Sequence, residues 1–290
     1  MMHVAEAGED RGRVVLQLGS GNACPVALDA AVWLARAFQA EIESLFVESE
    51  QLIELASHPF AREISRSGRP TPPLSSAAIE RHFRFASAAF HDQIEARARA
   101  AEVPWRQRVV RGETVSALAA ACAESGPWNV IALAEPFNAP DAPSLKRLLD
   151  LVAGTTGLLL VGPEACRLSG PIVLALEHAE GLPVMLAAAE RLSAVHEAAA
   201  AVCLIASDDL GLAELEAQTR LVLAERPQTL PLVAIVPAVV LRGSSAAVAE
   251  ALRRLRPGLV IGQLGGIAVP HDGDLRPLAA CLECPLLLVR

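Results

Sequence analysis

Residues 25–49, PVALDAAVWLARAFQAEIESLFVES, recur without a gap 158 positions later as residues 183–207, PVMLAAAERLSAVHEAAAAVCLIAS. The shared positions are Pro25/Pro183, Val26/Val184, Leu28/Leu186, Ala30/Ala188, Ala31/Ala189, Leu34/Leu192, Ala40/Ala198 and Ser49/Ser207. Three of these pairs are alanines in an Ala-rich chain, so the weight falls on the common register of apolar positions and on the flanks. Each copy opens with a proline in the first helical turn, where the missing N–H costs nothing. In the first copy Leu28, Ala31, Leu34 and Phe38 form an apolar stripe at helical spacing. Each copy then enters an apolar run that reads as a buried strand. A helix-then-strand unit written twice at this separation predicts two similar α/β halves.

The flanks extend the pattern. Residues 14–18 (VVLQL) read as a strand buried on both faces, followed by the turn Gly19-Ser20-Gly21-Asn22. Strand, helix and a second strand at 42–47 make a βαβ unit with a right-handed crossover. A long helix over 75–101 carries Ile79, Phe83, Ala86, Phe90, Ile94 and Ala98 on one face. Strands at 105–110, 129–134 and 157–161, with helices at 114–124 and 145–152, complete five strands. From Gly170 the order repeats. Strands are expected at 172–176, 201–205, 232–241, 259–261 and 285–289, with helices at 182–195, within 210–224, at 246–255 and near Leu278. Pro237 restricts its segment to an edge strand or a kink. The expected division is a leader at 1–12, one domain at 13–165 and a second at 170–290. Residues 48–76, rich in Arg, Ser and Pro, have no counterpart in the second half. They begin with a short helix at 51–56 and continue irregularly, either as a solvated loop over a helix end or as a lid or partner-docking element.

Composition narrows the function classes. A length of 290 residues suits two domains of about 145. A net charge of −8 argues against a nucleic-acid partner, which needs a basic face. No uncharged run exceeds 15 residues, and the one at 227–241 contains three prolines, short of the ~20 a spanning helix needs. The first residues, MMHVAEAGEDRGR, contain no apolar segment of the secretory kind. A cytoplasmic protein with reduced cysteines and no membrane contact is the expectation. Cys281-x-x-Cys284 has no second pair at metal spacing and reads as a helix end running into a buried strand.

Taken together, VVLQLGSGNACPVALDAAVWLARAFQAEIESLFVE, VVRGETVSALAAACAESGPWNVIALAE and GLLLV in the first half resemble the universal stress protein family in its tandem two-domain form. VVLRGSSAAVAEALRRLRPGLVIGQ and CPLLLV carry the resemblance in the second half. It implies an α/β fold of two tandem doubly wound five-stranded parallel-sheet domains, strand order 3-2-1-4-5, pairing through their fifth strands. An edge place for each third strand would accommodate Pro237. ATP-binding members of that family carry an Asp after the first strand and Gly-x2-Gly-x9-Gly-Ser/Thr after the fourth. In such a sheet the loops part at the switch point between strands one and four. Glycine turns and a helix N-terminus there receive phosphate.

Both halves depart from that pattern. Gly19 replaces the Asp in the first, and the loop from Glu135 to Asp141 has no glycine and two prolines. In the second, Glu177 replaces the Asp, Gly262-x-x-Gly265 remains, and Gly273-Asp274 follows after seven residues. Gly262, Gly265 and Gly273 are therefore the candidate nucleotide-binding residues, on a loop that makes a poor polyphosphate cradle. Gly19, Ser20, Gly21 and Asn22 offer backbone amides to a small anion. Glu177, His178, His271 and Asp272 are candidate metal ligands, since two histidines with carboxylates suit a divalent transition metal. No nucleophile–base pair and no nucleotide-binding glycine motif opening a helix is present, so no catalytic residue and no cofactor is assigned. The expected function is a non-enzymatic, stress- or signalling-associated protein acting through a protein partner or self-association. The pairing would be between halves of one chain or between subunits of a homodimer. The other reading is an ATP/AMP binder or weak ATPase that uses the C-terminal half alone.

Overall fold

Runs of Val, Leu and Ile without polar alternation require cover on both faces, and the chain supplies it with two layers of helices. The computed structural model describes residues 12–18, 24–64, 70–123, 129–134, 156–225, 230–240, 245–263 and 276–289. Within them the strands are β1 (Arg13–Leu18), β2 (Glu41–Ser49), β3 (Arg62–Ile64), β4 (Pro70–Pro73), β5 (Trp105–Gly112) and β6 (Asn129–Ala134). The series continues with β7 (Gly157–Val161), β8 (Ile172–Leu176), β9 (Ala200–Ala206), β10 (Leu232–Val239), β11 (Leu259–Gln263) and β12 (Leu286–Val289). The helices are α1 (Pro25–Ala37), α2 (Glu50–Ser57), α3 (Ser76–Ala100), α4 (Thr114–Ala123), α5 (Leu182–His196), α6 (Asp209–Glu225), α7 (Ser245–Arg254) and α8 (Arg276–Cys281). The helix expected at 145–152 lies outside the described residues.

Ten of these strands form one sheet, in the order β10-β9-β8-β11-β12-β7-β6-β1-β2-β5. In place of one five-stranded sheet per domain, the strands form a single continuous sheet, joined through β7 and β12. All neighbours are parallel except β12 and β7, which run antiparallel with Leu286 opposite Leu160 and Val289 opposite Gly157. The reason is in the strands themselves. GLLLV and LLLV are buried along their whole length, and an unpaired edge of that composition would be an aggregation template. Pairing hides both edges. Gly157 permits the close approach, because a Cβ there would stand 2.9 Å from the Leu288 carbonyl oxygen. Pro237 sits in the edge strand β10, where a missing ladder donor is tolerated.

Alternate residues along each strand divide between two cores. Val14, Leu16, Ile172, Leu174 and Leu176 face α1, α3, α5 and α6. Val15, Val173 and Ala175 face α4, α7 and α8. The insertion holds α2, which packs on α3, and the antiparallel pair β3 and β4. Ser49 caps α2 by accepting from Leu52 N at 3.3 Å, and Ser75 caps α3 by accepting from Ala78 N at 3.2 Å. A two-stranded pair inside the insertion is new relative to the sequence reading, since Pro70 and the prolines at 72 and 73 argue against strands.

Helices α1 and α5 meet over the β7–β12 seam. Trp33 is 2% exposed, donates from Nε1 to the Leu192 carbonyl at 3.0 Å, and meets the His196 ring edge-on at 4.8 Å. Burial, followed by the nearby Arg36 charge, holds the His196 imidazole below its ordinary pKa. A second contact pairs the guanidinium of Arg191 with the Phe38 ring, 5.4 Å from its centroid. The two contacts are related by the 158-residue offset of the repeat, position 33 corresponding to 191 and position 38 to 196. Gln39 and Glu197, also 158 apart, both take positive φ (53° and 50°) just beyond their helices.

Trp33→Ala is expected to lower unfolding stability by about 3–5 kcal/mol, the range for deleting a buried indole, measured by urea denaturation. Glu43, described below, gives a second expectation. Glu43→Ala should cost about 3 kcal/mol, the low end for breaking a buried ion pair, because Arg106 and Arg108 can turn to solvent. Glu43→Gln, which keeps an acceptor, should cost less in the same assay.

Candidate functional site

Strands β8 and β11 lie side by side, with Leu259 opposite Ile172 and Gly262 opposite Ala175, so their C-terminal ends open one mouth. Parallel α/β sheets bind ligands at such a mouth. Gly262 is buried at its floor, followed by Gln263. Glu177 and His178 follow β8, then a single 3₁₀ turn, Ala179–Gly181, leads directly into α5. The α5 N-terminus has Gly181 as its cap residue and no side-chain cap. A helix start of this kind is where a phosphate would sit. Here the Gln263 amide packs against the cap residue: a Cβ on Gly181 would fall 2.1 Å from Gln263 Oε1. The mouth thus presents a neutral amide over the helix start and an acidic residue, Glu177, beside it.

Of the residues singled out in the sequence, the structure places Gly262, Glu177 and His178 around this mouth. His178 is exposed, and its carbonyl accepts from Gly181 N at 3.1 Å. Gly265, Gly273, His271 and Asp272 lie outside the described residues, as do Gly19, Ser20, Gly21 and Asn22. The nucleotide, metal and anion sets are therefore not assembled as sets among the described residues.

Three other groupings were missed in the sequence. The first is a buried charge cluster at the N-terminal ends of β1, β2 and β5. Glu43 is 0% exposed; its Oε2 accepts from Arg106 at 2.6 and 3.1 Å and lies 3.1 Å from Arg13 Nη1. Its Oε1 accepts no hydrogen bond among the described residues and faces Arg108 at 3.7 Å. Arg13 also holds Glu41 at 2.5 Å. The signal was available as charged residues alternating with apolar ones in EIESLF and WRQRVV. The cluster lies at the N-terminal ends of its strands, whereas the β8–β11 mouth opens at C-terminal ends.

The second grouping is on α3. His91, Asp92 and Glu95 bring ligand atoms within 4.8 Å of one another. Arg99 already pairs with Glu95 at 2.5 Å, so the carboxylate nearest His91 is neutralised. Beside them a cavity of about 330 Å³ is lined by Glu48, Arg84, Ser87 and Gln107, among others. The third is a largely apolar cavity of about 370 Å³ at the seam, between the end of α1 and the first turns of α5, floored by Val130, Gly157 and Leu287. No sequence signal could have found it, because its walls come from both halves.

The cysteines separate by environment. Burial pushes the thiols of Cys122 and Cys284 up to about 12, with the Glu43 charge adding to the effect at Cys122. Burial alone pushes Cys203 up to about 11. Cys281 ends α8 exposed, whereas Cys284 is buried at the entry to β12. A thiol held protonated is a poor nucleophile and metal ligand, so the C-x-x-C pair behaves as a helix end and a core residue. At about pH 8, an aromatic disulfide reagent should label the exposed Cys166 and Cys281 quickly. It should label Cys122, Cys203 and Cys284 only after denaturant is added, as read by mass spectrometry of peptides.

No protein-family model and no curated protein matches the chain. Solved structures do. A functionally unknown protein, PA1789, from Pseudomonas aeruginosa PAO1 superposes with a TM-score of 0.58 at 14% identity, covering 96% of this chain and 92% of that one. A putative universal stress protein from Pseudomonas aeruginosa UCBPP-PA14 gives 0.55 at 15%, covering 97% and 93%. A universal stress protein from Archaeoglobus fulgidus DSM 4304 gives 0.57 at 11%, covering 96% of each. The cytoplasmic domain of a prokaryotic cation chloride cotransporter gives 0.50 at 12%, covering 96% and 95%. At these identities the likeness shows a shared fold: an α/β architecture with a large, mostly parallel sheet, as in universal stress protein-like structures. Among the described residues, no helix is long and apolar enough to cross a membrane.

Proposed function

We propose that this chain is a universal stress protein-like protein of tandem form. On this reading its two five-stranded halves are joined at the β7–β12 seam, and it acts through protein contacts, without catalysis and without ATP. The observation that carries the reading is the β8–β11 mouth, where Gln263 covers the α5 N-terminus at Gly181 and Glu177 stands where a nucleotide-binding relative has its Asp. The loss of glycines between Glu135 and Asp141 supports the same reading for the first half. Exposed apolar side chains support a protein partner. Leu52 and Leu55 on α2, Phe85 on α3 and Val109 on β5 project from elements that border the sheet edge.

Thermal unfolding with millimolar ATP, ADP or AMP and magnesium tests the reading. A ligand that binds only the folded state stabilises it by RT ln(1 + [L]/Kd), about 2.7 kcal/mol at a hundredfold excess over Kd. The expected result is no shift. A saturable shift, abolished by substituting Gly262, would instead establish a nucleotide binder that uses the C-terminal half, with Gln263 displaced from Gly181.

A further inference from the structure

The two contacts between α1 and α5 occupy equivalent positions in the repeat, yet they fill space differently. At one, Trp33 packs its indole against His196 and is buried. At the other, residue 191 is Arg, and its guanidinium caps Phe38 from an exposed position. Beneath Arg191 the seam is open. A cavity of about 370 Å³ runs under it, walled by Phe38, Val184, Ala187 and Leu287. Where the first copy buries an indole, the second has a flexible side chain that reaches to solvent above a void.

The chemistry of the void defines what fits. Among the described residues its walls are apolar apart from Arg191 and the Thr156 hydroxyl, which already accepts from Asn129 N at 3.3 Å. Its one charged group is Arg191, which has no carboxylate partner among the described residues. Val184 at the rim is half exposed, so the cavity opens to solvent. Ligand pockets run from about 300 to 1,000 Å³, and this one is at the small end. That excludes a two-chain lipid and suits a single short alkyl chain. An apolar slot with an unpaired planar cation at its mouth is complementary to a chain that ends in a carboxylate.

We propose that the seam cavity is a binding site for a medium-chain carboxylic acid of roughly eight to twelve carbons. The alkyl chain lies between α1 and α5 over β7 and β12, and the carboxylate meets Arg191. The site is remote from the β8–β11 mouth, and the proposal does not rest on the function assigned above. A ligand here touches both α1 and α5, so it would tie the two halves together across the seam.

Isothermal titration of the full chain with decanoate and with 1-decanol tests this. Saturable decanoate binding with one site per chain is expected. Arg191→Gln should weaken decanoate by about tenfold or more and leave 1-decanol unchanged, because only the charge-assisted contact is lost. Arg191→Trp recreates the packing found at Trp33. It should abolish binding of both probes while melting at or above the wild-type temperature. Ala187→Phe, at an exposed wall position, is a second filling variant should Arg191→Trp fail to fold, and it too should abolish binding. The proposal is overturned by the absence of saturable decanoate binding, by equal loss of both probes in Arg191→Gln, or by undiminished binding in a folded filling variant.

Discussion

The antiparallel contact between β7 and β12 is the interaction on which the rest of the molecule depends. Both strands are short and wholly apolar, and each ends an otherwise parallel set of strands. Left apart, each would expose a row of backbone donors and acceptors beside leucine side chains. Joined, they make a single sheet of ten strands and place α1 against α5 on one face. The approach is close enough that Gly157 has no room for a Cβ. The seam is therefore a core, with Trp33 buried in it, and does not resemble a loose contact between domains.

The two ends of the sheet have different tasks. At the N-terminal ends of β1, β2 and β5, a buried carboxylate is surrounded by three arginines, and its charge is met within the fold. A buried charge of this kind is tolerated because it is paired; removing an arginine would leave the Glu43 carboxylate short of a partner in a site closed to water. At the C-terminal ends of β8 and β11, Gly262, Gln263, Glu177 and His178 gather at one mouth, the place where parallel α/β sheets bind ligands. The Gln263 amide packs against Gly181 at the start of α5.

The repeat is most informative where it is broken. Positions 33 and 191 descend along equivalent helices, and Gln39 and Glu197 keep the same left-handed backbone beyond them. Against that shared frame, tryptophan in one copy and arginine in the other yield a filled seam on one side and an open, cation-rimmed cavity on the other. A difference of one side chain changes packing without disturbing the helices, because both residues are good enough helix formers and both reach across to the facing helix.

Much of the architecture was legible along the chain. The runs VVLQL, GLLLV and PLLLV announced strands covered on both faces, Ile79 to Ala98 announced one long amphipathic helix, and Pro237 announced an edge. These are local signals: burial imposes a period on the residues of one element, and that period survives in the sequence. The seam, the Glu43 cluster, the Gln263 lid on Gly181 and the cavity beneath Arg191 depend instead on which surfaces meet. Arg106 and Glu43 are 63 residues apart, and Trp33 and Leu192 are 159 apart. Sequence by itself determined the elements and their repetition, because each residue's hydrophobicity reports its own burial. Only the tertiary structure decided that the two sets of strands share one sheet and where the space between helices stays open, because those outcomes depend on shape and charge matched across distant segments.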